Sequence, residues 1–289
     1  MMKRTLGFMF RVVVTVIVYV IAVMIAGGIL SSLGATLPAV SDEMNILFAK
    51  LLLSRVVIGV TFCIIVSFME LSRLKLLFAA LAILFLNLAS VILEGAYFVP
   101  GVITKQMIFP LLVQQLIISI IMSGVIALLF GVTNKKNIQD SSPSHSLIGW
   151  VWRIAASMVC YIIFYYLFGK VNFALFTSSY YMDNMGGLGI PSLIDIVKIE
   201  SVRSLLIVLS VIFIAISSID VRKRAIVTGL TVFLIGGVMP LVQQLSTLPT
   251  ALVIASVIEI LFQNFLTGVV LVMLIEYKGQ NKSRATICG

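Results

Sequence analysis

Ten polar residues interrupt otherwise apolar runs of this chain: Arg55, Glu94, Gln114, Gln115, Arg203, Gln243, Gln244, Glu259, Gln263 and Asn264. Ionisable groups inside a membrane span are costly, so each is a functional candidate by default. A guanidinium offers a planar fork of donors that suits a carboxylate or phosphate. Amides complete such a shell with neutral hydrogen bonds. The candidate substrate-binding set is therefore Arg55, Arg203, Glu94, Glu259, Gln114, Gln115, Gln263 and Asn264, and it suits an anionic or carboxylate-bearing ligand. A structural role is the competing reading. Arg55–Glu94 and Arg203–Glu259 would then be interhelical ion pairs, with the amides as packing contacts. The two arginines could equally snorkel to head groups.

Other chemistry finds little to work with. A zinc site needs several His, Cys or carboxylate ligands, and His145 is the single histidine, set in a polar linker. No Asp-rich pair occupies the inner loops for magnesium and pyrophosphate, and Glu94 and Glu259 stand singly. Without a Walker motif, any ATP drive would come from another membrane or ATPase subunit. Gly186-Gly187-Leu188-Gly189 follows no strand, so it is no dinucleotide fingerprint. Three cysteines cannot make a disulfide framework. The expectation is a protein that is not an enzyme, with no catalytic residues, metal or cofactor.

The elements that must carry these residues follow from composition. The 289 residues are 61% hydrophobic and 11% charged, with a mean hydropathy of +1.19. Soluble domains average about 45–50% apolar and about 25% charged residues. Disordered chains are polar and charge-rich. The fold class expected is an all-α polytopic membrane protein. A spanning helix needs about 20 mostly apolar residues. Eight transmembrane helices are expected, near 10–30, 51–69, 76–98, 107–131, 150–169, 202–219, 225–245 and 251–275. The first is read as a span, because its apolar run is longer than a signal-peptide core. Pro240 should kink the seventh.

The chain also repeats. Phe10-Arg11-Val12 through Tyr19 matches Trp152-Arg153-Ile154 through Tyr161 at an offset of 142. Lys50 and Arg55 fall on Lys198 and Arg203 at 148; Lys75, Glu94 and Pro100 fall on Arg224, Gln243 and Pro249 at 149. Leu112, Gln114 and Gln115 fall on Leu261, Gln263 and Asn264 at the same offset. This predicts two tandem parallel four-helix repeats, 1–131 and 150–276, joined by a cytoplasmic linker at 132–149 and followed by a basic cytoplasmic tail, 277–289. Even-numbered units enter from the same side, so a pseudo-twofold axis along the membrane normal should relate them.

Charge sets orientation. Of 20 Lys and Arg, 14 fall on the side of the termini, the linker and the 70–75 and 220–224 loops. The positive-inside bias puts both termini in the cytoplasm, most simply of a prokaryotic cell membrane. The net charge of +9 thus marks orientation and affinity for anionic inner-leaflet lipid rather than nucleic acid. Arg11 and Arg153, at the starts of outgoing spans, should snorkel to inner head groups. The longer outer loops each should hold a short interfacial helix, capped at Ser41-Asp42-Glu43 and at Pro191-Ser192 through Asp195. All ten polar residues then lie in the outer half of the bilayer, around a vestibule open to the outside. The leading functional expectation is a transporter or permease component with its site between the repeats. The alternative is a non-catalytic membrane subunit or assembly scaffold that holds a partner through its loops.

Overall fold

The structure, a computed structural model, describes residues 2–35, 44–69, 71–100, 103–132, 145–183, 188–217, 219–243 and 249–277. Among these the chain is helical throughout, with no strand beyond an isolated pairing of Ser72 and Val132. The helices are α1 Met2–Ser32, α2 Met44–Ser67, α3 Arg73–Phe98, α4 Ile108–Phe130, α5 Leu147–Asn172, α6 Ser178–Met182, α7 Leu193–Ser210, α8 Ile212–Ala215, α9 Val221–Phe233, α10 Met239–Gln243 and α11 Thr250–Glu276. Six helical stretches are long and apolar enough to cross a membrane: Thr5–Ser32, Arg73–Phe98, Lys105–Phe130, Leu147–Met182, Val221–Val242 and Thr250–Glu276. The chain is therefore an all-α membrane protein.

Local chemistry sets several helix starts. Ser146 caps α5 by accepting from the Gly149 amide at 3.1 Å. Ser192 caps α7 by accepting from the Asp195 amide, and its hydroxyl donates to the Asp195 carboxylate at 2.6 Å. Asp220 caps α9, accepting from the amides of Arg222 and Lys223. Each cap satisfies amides that have no partner within the helix. The expected cap at Ser41-Asp42-Glu43 lies outside the described residues.

Two helices depart from regularity. A π-helical turn, Phe173–Thr177, joins α5 to α6, and another, Leu234–Val238, joins α9 to α10. The second precedes Pro240, which has no amide to give the Gly236 carbonyl, so the turn widens where that hydrogen bond is lost. The expected interfacial helix before the sixth span is instead the first half of α7, which continues unbroken from Leu193 to Ser210. No glycine or proline separates Asp195 from Arg203, so nothing stops the helix there.

α1 packs on α2 and α4, and α3 on α4; α5 packs on α7 and α11, and α9 on α11. The two groups meet mainly through α3 against α7, and more thinly through α2 against α9 and α10. Gly229 and Gly268 let α9 and α11 touch backbone to backbone; a Cβ on Gly268 would lie 2.6 Å from the Gly229 Cα. Small residues allow this approach where no water drives helices together. The centre is filled by Phe62, Leu76, Ile83, Met122, Ile207, Ile235 and Leu271, while Ile17, Met24, Leu128, Ile163, Ile254 and Met273 point outward from the bundle. So large an exposed apolar surface is what lipid contact requires. The start of α1, the close of α2 and α4, the start of α9 and the close of α11 meet at one end of the bundle: Phe8 packs on Phe130, the Val132 amide donates to the Leu71 carbonyl, Lys223 lies over Phe68, and Arg224 pairs with Glu276.

Candidate functional site

The polar residues collect near the other end, termed here the far end. Arg203 on α7 is the hub. Its Nη1 donates to Glu94 Oε1 of α3 at 2.6 Å and to both Glu200 carboxylate oxygens, at 2.8 and 2.9 Å. Glu200 is completely buried and also accepts from the Tyr161 hydroxyl of α5, at 3.3 Å. The Arg203 Nε is buried without a partner among the described residues. Three helices thus converge on one guanidinium. The i, i+3 spacing of Glu200 and Arg203 puts both on one face of α7.

Beside this cluster lies a cavity of about 150 Å³. Its polar wall is Glu94, Arg203, Ser256, Glu259, Gln263 and Asn264, with Tyr165 and Tyr181 at its side. Gly236 and Gly237, in the second π-helical turn, line it with bare backbone. A Cβ on Gly237 would fall 2.1 Å from the Ile260 Cγ2, so no larger residue fits there. Glu259 accepts from the Asn172 Nδ2 at 2.6 Å through one oxygen. Asn264 spends its amide on the Val232 carbonyl, at 3.3 Å.

Five of the eight expected site residues therefore share one cavity: Glu94, Arg203, Glu259, Gln263 and Asn264. The other three lie elsewhere. Arg55 donates to the Tyr19 hydroxyl at 3.1 Å and stacks over that ring. Gln115 donates to the Leu84 carbonyl and the Ser119 hydroxyl. Gln114 approaches Gly27 of α1. Gln243 ends α10, and Gln244 lies outside the described residues. The two arginines do not face one cavity, contrary to expectation.

The expected pairings are also corrected. Glu94 pairs with Arg203 rather than Arg55, and Glu259 takes Asn172 rather than Arg203. The reason is packing: α3 lies along α7, so its carboxylate meets the arginine of the other half of the chain. Glu200 falls outside the expected site set, because the apolar run that marks the sixth span begins after it. Its signal was the spacing to Arg203.

The opposite end holds a second correction. Arg153 does not snorkel; it is buried, and donates to the carbonyls of Leu274, Tyr277 and Gly149 at 2.8, 2.6 and 2.8 Å. The last carbonyls of α11 have no partner within the helix, and a cation there also meets the negative end of the helix dipole. His145 is likewise engaged, with its Nε2 at 2.8 Å from the Ile275 carbonyl. Arg224 pairs with Glu276 and donates to the Ser217 carbonyl. Arg11 alone keeps the exposed position expected of it, above the Phe130 ring.

No protein-family model, curated protein or solved structure matches this chain, so the site is read from its own geometry.

Proposed function

We propose that this protein is an integral membrane transporter or permease component whose substrate site is the Glu94–Arg203–Glu259 cavity, open to the outside between two repeats. The observation that carries the reading is the cavity itself: a polar space about 150 Å³ in volume among apolar helices, walled by α3 of the first half and α7, α10 and α11 of the second. Sites on a repeat interface are how such folds build pathways. Eight spans and two parallel repeats fit the packing, since α1, α2, α3 and α4 make the same set of neighbours as α5, α7, α9 and α11. Tyr19 beside Arg55 and Tyr161 beside the Arg203 cluster repeat the same partnership. Charge bias supports cytoplasmic termini in a prokaryotic cell membrane, with the basic tail on anionic lipid. ATP coupling through a separate subunit is compatible with the basic inner loops.

The repeats differ where the site forms. At an offset of 148, Glu200 falls on Leu52, so the first half lacks the buried carboxylate. One functional centre, not two, is the consequence. Arg203 is already committed to two carboxylates, so a free anion would meet a site of net negative formal charge. The substrate class favoured is accordingly cationic or rich in hydrogen-bond donors.

Cysteine accessibility tests this. In a background with Cys63, Cys160 and Cys288 replaced by Ser, Ser256→Cys should react with a membrane-impermeant thiol reagent added outside. Ser256→Trp should fill the cavity and abolish the wild-type difference in metabolite uptake between expressing and empty cells. An unreactive Ser256→Cys, or unchanged uptake with Ser256→Trp, favours the subunit or scaffold reading.

A further inference from the structure

The polar cavity has an apolar neighbour. A groove of about 570 Å³ runs between the α5–α6 segment and α11. Val171, Phe176 and Tyr180 form one wall, and Ile254, Ile258 and Phe262 the other. Stacked rings of Phe168 and Phe262, 5.2 Å apart, close its inner end. From Ala251 to Phe262 it follows α11 for about 16 Å, at 1.5 Å per residue. Ile254, Ile258 and Phe176 are more than half exposed, so the groove opens sideways, toward lipid.

Two polar groups interrupt this surface, and they are bonded to each other: Asn172 and Glu259. Glu259 also lines the polar cavity, and so is common to both spaces. The Asn172 amide takes one of its two oxygens, Oε2. Both walls are modified at this junction. One π-helical turn, Phe173–Thr177, supplies Phe176 to the groove, and the other, Leu234–Val238, supplies Gly236 and Gly237 to the cavity. Such turns are rare in helices and frequent at functional sites. The matched positions of the first half are Leu30 for Asn172 and Pro110 for Glu259, so this junction occurs once.

An apolar channel open to lipid, ending on a carboxylate beside a polar chamber, has the shape of an amphiphile. Charge selects its head. Glu94, Glu200 and Glu259 against Arg203 leave two formal negative charges in excess, which an ammonium complements and a carboxylate does not. We propose that the site takes a single-chain amphiphile bearing a primary amine, with its chain in the α5–α11 groove and its ammonium on Glu259, facing the polar cavity. Entry is then lateral, from the outer leaflet. This rests on the cavity reading above and names the substrate class for it.

The test uses the whole chain in phosphatidylcholine nanodiscs carrying one of three nitroxide-labelled probes: stearylamine, stearyl alcohol or stearic acid. Electron paramagnetic resonance measures the motionally restricted fraction of each. The amine should associate roughly tenfold more strongly than the alcohol, the scale of one charge-assisted hydrogen bond, and the acid least. Glu259→Gln should reduce the amine to the level of the alcohol. Glu276→Gln, the same substitution at the opposite end of α11 and outside both the groove and the cavity, should keep the preference and guards against misfolding as the cause. Ile258→Trp should fill the groove and release the restricted amine. Equal association of all three probes overturns the proposal, as does a preference that survives Glu259→Gln or Ile258→Trp. A failed uptake assay would leave this binding result standing, whereas equal binding would leave a transporter of small polar solutes.

Discussion

A guanidinium removed from water needs compensating charge, and Arg203 has it twice over, from Glu94 at 2.6 Å and Glu200 at 2.8 Å. Arg55 has a tyrosine hydroxyl and a ring face. The two sites should respond differently to mutation. Arg203→Met leaves Glu200 buried beside a second carboxylate, and breaking a buried pair typically costs about 3–5 kcal/mol. Arg55→Met loses one hydrogen bond to a neutral group, on the order of 1 kcal/mol. Thermal midpoints in detergent should therefore fall much further for Arg203→Met. Adding Glu200→Gln to Arg203→Met should recover part of the loss, since the stranded charge is then gone. An additive pair, or an Arg55→Met at least as damaging, would remove Arg203 as the hub. At this scale the sequence made Arg203, Glu94 and Glu259 visible as charges in apolar runs, and their types sufficed for that. It hid their partners, because partnership depends on which helices pack. It hid Glu200 because span limits drawn by hydropathy stop at the first charged residues, which is where a buried ion pair begins.

Helices announce themselves in this chain by apolar length and by Ser and Asp caps; their contacts depend on where side chains are missing. Gly229 and Gly268 allow α9 and α11 to meet at backbone distance. A Cβ on Gly268 would lie 2.6 to 2.8 Å from backbone atoms of Gly229 and Thr228, and backbone cannot rotate away. Gly124, within α4, has nothing within 4 Å of the same position. Gly268→Ala should lower the thermal midpoint, by overpacking that costs about 1–3 kcal/mol. Gly124→Ala should raise it slightly, because alanine is the better helix former by about 1 kcal/mol. If both variants shift in the same direction, the close crossing is wrong. The π-helical turns left no comparable trace. One extra residue in a helix is invisible where every face is apolar, so the turn at Phe173–Thr177 had no sequence signal and the one at Leu234–Val238 had only Pro240. Arg153 departs from the snorkelling expectation for a related reason. Its place at a helix start was readable, but the bare carbonyls it serves belong to a helix more than a hundred residues away.

Over the whole molecule, the ends of the bundle are chemically unlike. One end gathers Arg153, Arg224 and His145 around the close of α11; the other holds Glu94, Glu200, Glu259 and Arg203 around the cavity. In the two-repeat arrangement proposed above, units of four helices keep the same sense, so both halves would contribute their basic loops to one face. The sequence expectation puts 14 of the 20 Lys and Arg residues on that face, and the topology proposed above makes it cytoplasmic by the positive-inside bias. On that proposed topology the cavity would face outward and its groove would open to the outer leaflet, so topology and substrate access stand or fall together. Two insertions separate the outcomes. An epitope placed between Gly186 and Gly187 should be bound by antibody on intact cells, without permeabilisation. The same epitope at Asp140, in the linker, should be bound only after the membrane is opened. Reversed labelling would put the acidic cavity on the cytoplasmic side and require entry from the inner leaflet. Labelling of both sites from outside would mean an odd number of crossings between residues 140 and 186 is absent, and the two-repeat arrangement would be lost with it.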